Sequence, residues 1–144
     1  MKLHTCSEVV SFIRDLENTG SSFYENLARE LPNHADTFSS FVKENKKNIA
    51  QIERVYYGVI TDAIEGCFAF DVETEQYQIL SDTSGSKNKT AALEKAVSVE
   101  KKMQQFYATA AEQSKALMAD LPRTFFTIAK KRDSRIASLT SLLK

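Results

Sequence analysis

The feature that most constrains this chain is a pattern written twice: a glutamate followed seven residues later by a tyrosine, each inside an apolar helical stripe. The copies are Glu17 to Phe23-Tyr24 and Glu100 to Phe106-Tyr107. The shift of 83 positions that superposes them also pairs Val9 with Ala92, Val10 with Leu93, Ile13 with Ala96, Leu16 with Val99, Leu27 with Ala110 and Ala28 with Ala111. Self-similarity at a fixed offset marks a repeated structural unit. At about 100° per residue these positions, with Gly20 and Met103, fall on one broad helical face that contains both glutamates. A carboxylate inside an apolar stripe needs a compensating partner.

The first helix is expected to start at Thr5-Cys6-Ser7-Glu8, a capping box in which the Thr5 hydroxyl and the Glu8 carboxylate satisfy orphan amides. Its stripe is Val9, Ile13, Leu16, Gly20, Phe23, Tyr24, Leu27 and Leu31, and Pro32 ends it. A short polar turn, with Asp36 and Thr37 as cap candidates, suits an antiparallel return. The second helix carries Phe38, Phe41, Val42, Ile49, Ile52, Val55 and Val59 at three- and four-residue steps. The same stepping puts Asn45 and Asn48 on the inner face and turns Lys43, Lys46, Lys47 and Glu53 toward water.

Gly58 and Gly66 weaken that helix beyond Tyr57, and the stretch through Phe68, Phe70, Tyr77 and Leu80 keeps no helical period. It is read as short helical turns or a brief extended segment. Ser81 to Thr90 is the most solvent-suited part of the chain and reads as a loop. Together they form a crossover over about 58–90, long enough to cross a bundle from end to end. Thr90 is a cap candidate for a third helix with the stripe Leu93, Ala96, Val99, Met103, Phe106, Tyr107 and Ala110, ending near Met118. Asp120-Leu121-Pro122 then opens a fourth, with Phe125, Ile128, Ala129, Ile136, Leu139, Leu142 and Leu143. Arg132 and Arg135 interrupt its seam.

A chain of 144 residues, 42% hydrophobic and 26% charged, can bury one core as a single domain over 1–144. Nineteen basic and nineteen acidic residues balance, so no overall field recruits nucleic acid or an anionic membrane. The lysines of the second helix and Arg54 form a basic strip without interleaved aromatics, which reads as a solvated face. The lack of a long apolar run or a basic and apolar leader points to a cytoplasmic protein. Cys6 and Cys67 are too few for a disulfide framework and read as small, partly buried side chains. His4 and His34 fall at opposite ends of the first helix and read as surface residues.

Two helical hairpins joined by one long crossover describe an all-α four-helix bundle of the ferritin-like kind. On Glu17-x6-Tyr24 with Leu27-Ala28, Phe38-x2-Phe41-Val42, and their second copies Glu100-x6-Tyr107 with Ala110-Ala111 and Phe125-x2-Ile128-Ala129, the chain resembles the rubrerythrin family. The resemblance covers nearly everything except the crossover. It implies a di-iron bundle with one Glu from each of two helices and a Glu-x-x-His from each of the other two. In this chain the Glu-x-x-His positions hold Asn45 and Asn48 on the second helix and Arg132 and Arg135 on the fourth. Only Glu17 and Glu100 remain of the ligand set that the resemblance implies.

Two carboxylates facing two guanidinium groups attract a dication weakly, so no metal and no cofactor are expected. Arg132 and Arg135 are instead expected in the vacated metal site, paired with Glu17 and Glu100 through planar donor forks. Asn45, Asn48, Tyr24 and Tyr107 are candidates to complete the hydrogen bonds. In one alternative, the arginines and glutamates snorkel to the surface. In another, the second helix shifts by one residue and brings Glu44 inward, with Lys47 at the histidine position.

The reading favoured is a non-catalytic structural or interaction protein, and the resemblance implies a homodimer packed through helix faces. Tyr56, Tyr57, Phe68 and Phe70 are candidate contact aromatics. The runner-up is a non-haem iron oxidoreductase or peroxidase with iron held by Glu17, Glu100 and Glu44. A third possibility is a small-molecule pocket near Gly20 and Ala96. Rubrerythrins proper also carry a rubredoxin-type module with paired Cys-x-x-Cys motifs, which this sequence lacks.

Overall fold

The computed structural model describes residues 1–59, 69–79, 88–116 and 120–143. Gly66, Cys67, Phe68, Leu80, Met118 and most of the Ser81 to Thr90 segment lie outside the described residues, as does the side chain of Val59. Four helices carry the fold: α1 (Cys6–Glu30), α2 (Ala35–Val59), α3 (Lys89–Gln113) and α4 (Asp120–Leu143). Each has 24 or 25 residues. At 1.5 Å per residue that is about 37 Å apiece, so the helices can pair along their whole length. α1 packs on α2 and α3 on α4 as two hairpins, and the hairpins meet with α2 beside α4 and α1 beside α3. The result is an all-α four-helix bundle whose halves are joined by a long linker.

The helix ends follow local chemistry. At α1 the Glu8 amide donates to Thr5 Oγ1 at 3.1 Å, and the Thr5 amide donates to Glu8 Oε1 at 3.0 Å. This is the expected capping box. The α1 ladder stops at Leu31, and Pro32–His34 makes a 3-10 turn that feeds directly into α2 at Ala35. Asp36 and Thr37 therefore lie inside α2 and do not cap it. α3 also starts earlier than expected, because the Asn88 side chain, not Thr90, accepts the Ala91 amide at 2.8 Å. α3 ends at Gln113, short of Met118, where Ser114 Oγ turns back onto the Ala110 carbonyl at 2.7 Å. Pro122 sits in the first turn of α4, where its missing N–H leaves no bond unmade.

The repeated stripes face one another as the core. Val9, Ile13, Leu16, Phe23 and Leu27 of α1 are buried with Leu93, Ala96, Val99, Met103 and Phe106 of α3. Phe38 of α2 stacks on Tyr24 with ring centroids 5.9 Å apart. Leu121, Phe125, Ile128 and Leu139 fill the α4 side. The lysines of α2 are exposed while Asn45 and Asn48 are fully buried, so the unshifted register holds. Among the described residues, no helix is long and apolar enough to cross a membrane.

Part of the crossover acts as a strap along α1 and α3. Lys2–Leu3 (β1) pairs antiparallel with Val72–Glu73 (β2), Leu3 opposite Val72, and a 3-10 turn follows at Thr74–Tyr77. Gln113 exchanges two hydrogen bonds with the Asp71 backbone, at 2.9 and 3.1 Å, and Lys102 Nζ donates to the Gln78 carbonyl at 3.1 Å. The strap thus runs antiparallel to α3. Phe70, Val72 and Ile79 are buried beneath it, and Tyr77 packs edge-on to Phe106 at 5.4 Å.

This arrangement brings Asn45 and Ile79 beside Gly20. A Cβ on Gly20 would meet Asn45 Nδ2 at 3.4 Å and Ile79 Cδ1 at 3.8 Å, and Ala96 is fully buried. Those distances are ordinary contacts that a methyl group tolerates. Gly20→Ala should therefore stabilise the protein by about 0.5–1 kcal/mol through reduced backbone freedom in the unfolded chain. Urea unfolding would show a higher midpoint at unchanged slope; a lower midpoint would mean that Asn45 cannot yield.

Candidate functional site

Glu17 and Glu100 occupy equivalent places on α1 and α3, and both are fully buried at the centre of the bundle. α4 supplies both cations. Arg132 and Arg135, three residues apart on one face, are 1% and 3% exposed, which rules out the arrangement in which they reach the surface. Arg132 lies between the two carboxylates. Its Nη1 donates to Glu100 Oε1 at 3.0 Å and Oε2 at 3.1 Å, while its Nη2 donates to Glu17 Oε1 and, at 3.4 Å, to Asn45 Oδ1. One planar fork therefore ties α4 to α1, α2 and α3.

Arg135 has a different set of partners. Nη1 donates to Glu100 Oε2 at 3.4 Å, Nη2 to the Phe41 carbonyl at 3.2 Å, and Nε to Glu44 Oε1 at 3.0 Å. Its guanidinium also lies 4.8 Å from the Phe41 ring centroid and 6.0 Å from that of Tyr24. Glu44 thus joins the network although α2 keeps its register. It sits next to Asn45 at the edge of the inner face, and its long side chain reaches Arg135 while remaining 38% exposed. Its adjacency to an inward asparagine was the sequence signal for this role.

The tyrosines exchange partners between the repeats. Tyr24 of the first repeat donates to Glu100 Oε2 at 2.6 Å, and Tyr107 of the second donates to Glu17 Oε1 at 2.8 Å. Each phenol thereby ties its own hairpin to the glutamate of the other. The periodicity placed these groups on facing surfaces, but only the packing of the hairpins sets the crossed pairing. Asn45 also ties α2 to α1, donating from Nδ2 to Ser21 Oγ at 3.2 Å and to the Glu17 carbonyl at 3.4 Å. Among the described residues, neither amide atom of Asn48 hydrogen-bonds to the protein, and the same holds for Glu17 Oε2 and Arg132 Nε.

The electrostatics follow from this partnering. Burial pushes the Glu100 carboxyl up, but the opposing charges of Arg132 and then Arg135, with the Tyr24 and Arg132 hydrogen bonds, hold it below the usual glutamate range. Burial likewise works against the charge on Arg132, and Glu100 and Glu17 outweigh it, so its pKa is raised further. Both phenols are held well above the ordinary tyrosine range, first by burial and then by the neighbouring carboxylate. Two buried cations and two buried anions cancel, with Glu44 as an extra anion at the rim.

The donor set is a poor fit for a metal. The carboxylates already accept from guanidinium and phenol groups, and the fixed positive charges of Arg132 and Arg135 would oppose a dication. Among the described residues, no three His, Cys, Asp or Glu side chains form a group that could hold a metal ion. Of the candidate contact aromatics, Tyr56 and Phe70 are buried within the chain and Tyr57 is exposed. No protein-family model, curated protein or solved structure matches this chain.

The partnering makes the two glutamates unequal in a way that can be measured. Arg132→Leu should destabilise by about 3–5 kcal/mol, because it leaves buried carboxylates under-compensated. Adding Glu17→Leu should recover most of that loss, since Glu100 keeps Arg135. Adding Glu100→Leu should recover less, because Glu17 then has no buried cation. Equal recovery in both double variants, by denaturant unfolding, would contradict the bridging role of Arg132.

The raised phenol pKa values give a second prediction. A group whose folded pKa exceeds its unfolded value of about 10 contributes stability that is intact below that pH and lost as pH rises through the folded value. Two of the five tyrosines should therefore form phenolate only as helical circular dichroism is lost. The variant with Tyr24→Phe and Tyr107→Phe should lack that component. Phenolate formation by all five with the helices intact would show that the phenols are accessible.

Proposed function

We propose that this chain is a ferritin-like bundle of the rubrerythrin type in which an Arg/Glu network occupies the di-iron position, and that it acts as a non-catalytic structural or interaction protein. One observation carries the reading. The four positions where the resemblance calls for Glu-x-x-His ligands hold Asn45, Asn48, Arg132 and Arg135, and all four side chains are buried in the bundle interior. The Arg132 guanidinium stands between the glutamates that would otherwise bridge or flank the metals. The positive charge that a di-iron centre would supply to buried carboxylates is supplied by the chain itself.

An iron oxidoreductase built on Glu17, Glu100 and Glu44 would need Glu44 inside and the arginines outside. Arg132 and Arg135 are instead the buried groups, and Glu44 stands at the rim. An interaction role agrees with a core devoted to internal pairing, and assembly as a homodimer through helix faces is part of the proposal. Tyr57, 63% exposed on α2, is an aromatic available for such a contact.

Metal analysis tests the reading. Protein expressed with added iron and manganese should retain no stoichiometric metal. The reverted chain with Asn45→Glu, Asn48→His, Arg132→Glu and Arg135→His should bind about two ions, the complement of a Glu and Glu-x-x-His bundle. About two ions in the unaltered protein would overturn the proposal. A folded reverted chain that binds none would detach the bundle from the di-iron architecture.

A further inference from the structure

A cavity of about 310 Å³ opens between α2 and α4, lined by Phe41, Glu44, Lys131, Ser134, Arg135 and Ser138. At its inner wall is Arg135, which is 97% buried and charged. The guanidinium is anchored from behind: Nη1 reaches Glu100, Nη2 reaches the Phe41 carbonyl, and the Phe41 ring covers one face. Its Nε and Nη2 edge is held by Glu44. A single oxygen, Oε1, lies 3.0 Å from both nitrogens. That edge is shaped to take two parallel carboxylate oxygens, so Glu44 uses it in a one-oxygen mode.

Glu44 is replaceable for a second reason. Its side chain is 38% exposed, so water can solvate the carboxylate when it leaves the guanidinium. When its carboxylate swings into solvent, the pairs among Glu17, Glu100 and Arg132 remain, and Arg135 keeps Glu100 and the Phe41 carbonyl. The cavity is then left with the charges of Arg135 and Lys131, the hydroxyls of Ser134 and Ser138, and an aromatic wall.

We propose that this cavity binds a small monocarboxylate, whose two oxygens take the Nε and Nη2 edge of Arg135 in place of Glu44 while its apolar body lies along Phe41. Charge decides the class. Displacing Glu44 removes one negative charge from Arg135, and a monoanion restores it, whereas a phosphate dianion would leave an excess beside the buried Glu100. The planar guanidinium edge favours the planar anion. Glu44 is then a tethered competitor, present at a high effective concentration, that sets how strongly the free ligand must bind. The proposal needs only the cavity and the anchored arginine and does not rest on the ferritin-like reading.

Benzoate is a suitable probe, titrated into the full chain while amide and Arg135 Nε–H resonances are followed. Saturable shifts centred on Phe41, Lys131, Ser134, Arg135 and Ser138 are expected. Glu44→Gln should tighten binding by roughly tenfold, a change of about 1.4 kcal/mol, because the neutral amide competes poorly for the guanidinium. Lys131→Glu, at an exposed position on the rim, should weaken it. Three results would overturn the proposal: no saturable shift in the unaltered chain and in Glu44→Gln; binding indifferent to both substitutions; or equal shifts from sodium chloride at matched ionic strength.

Discussion

The guanidinium of Arg132 is the interaction on which the centre of this bundle depends. It hydrogen-bonds to side chains from all three other helices: Glu17 on α1, Asn45 on α2 and Glu100 on α3. Without that charge, Glu17 would have no buried cation and Glu100 would keep only Arg135, and the cost of removing the carboxylates from water would fall on the fold. The network is thus a condition for burying Glu17 and Glu100, more than a net source of stability. Its geometry is directional, with planar forks and crossed phenols.

The site has an approximate symmetry that its charges break. Glutamate and tyrosine repeat faithfully, and each tyrosine serves the other repeat's glutamate. The third component does not repeat, since α2 supplies neutral amides where α4 supplies cations. Glu100 accordingly receives two arginines and a phenol, whereas Glu17 receives one arginine and a phenol. Arg135 links the buried centre to a solvent-facing cavity through Glu44. The two hairpins therefore have a face under the strap and a face between α2 and α4 where the network meets water.

The legibility of the sequence varied with the range of the interaction. The Thr5 and Glu8 capping box, the stop before Pro32 and the inward turn of Asn45, Asn48, Arg132 and Arg135 followed from neighbours within one or two turns. The helix starts at Ala35 and Lys89 differ from those expected because several polar residues close together can cap, and local sequence does not choose among them. The strap's own sequence suits both helical turns and extended chain. It contains both, because its conformation answers to β1, Gln113 and Lys102 more than to its own period. The neighbours of Gly20 across the bundle, Asn45 and Ile79, are far from it in sequence.

What the sequence determined by itself was the repeat, the helical faces and the charge balance of the interior. Periodicity fixes which side chains must be buried together, and burial forbids unbalanced charge. Only the tertiary structure decided who pairs with whom. Tyr24 reaches Glu100 across 76 positions and Arg132 reaches Glu17 across 115, so these partners are selected by hairpin packing and not by local preference. The entry of Glu44 into the network was decided in the same way. A long side chain at the edge of a helical face can turn to water or to a buried cation, and the position of Arg135 on the neighbouring helix settles the choice.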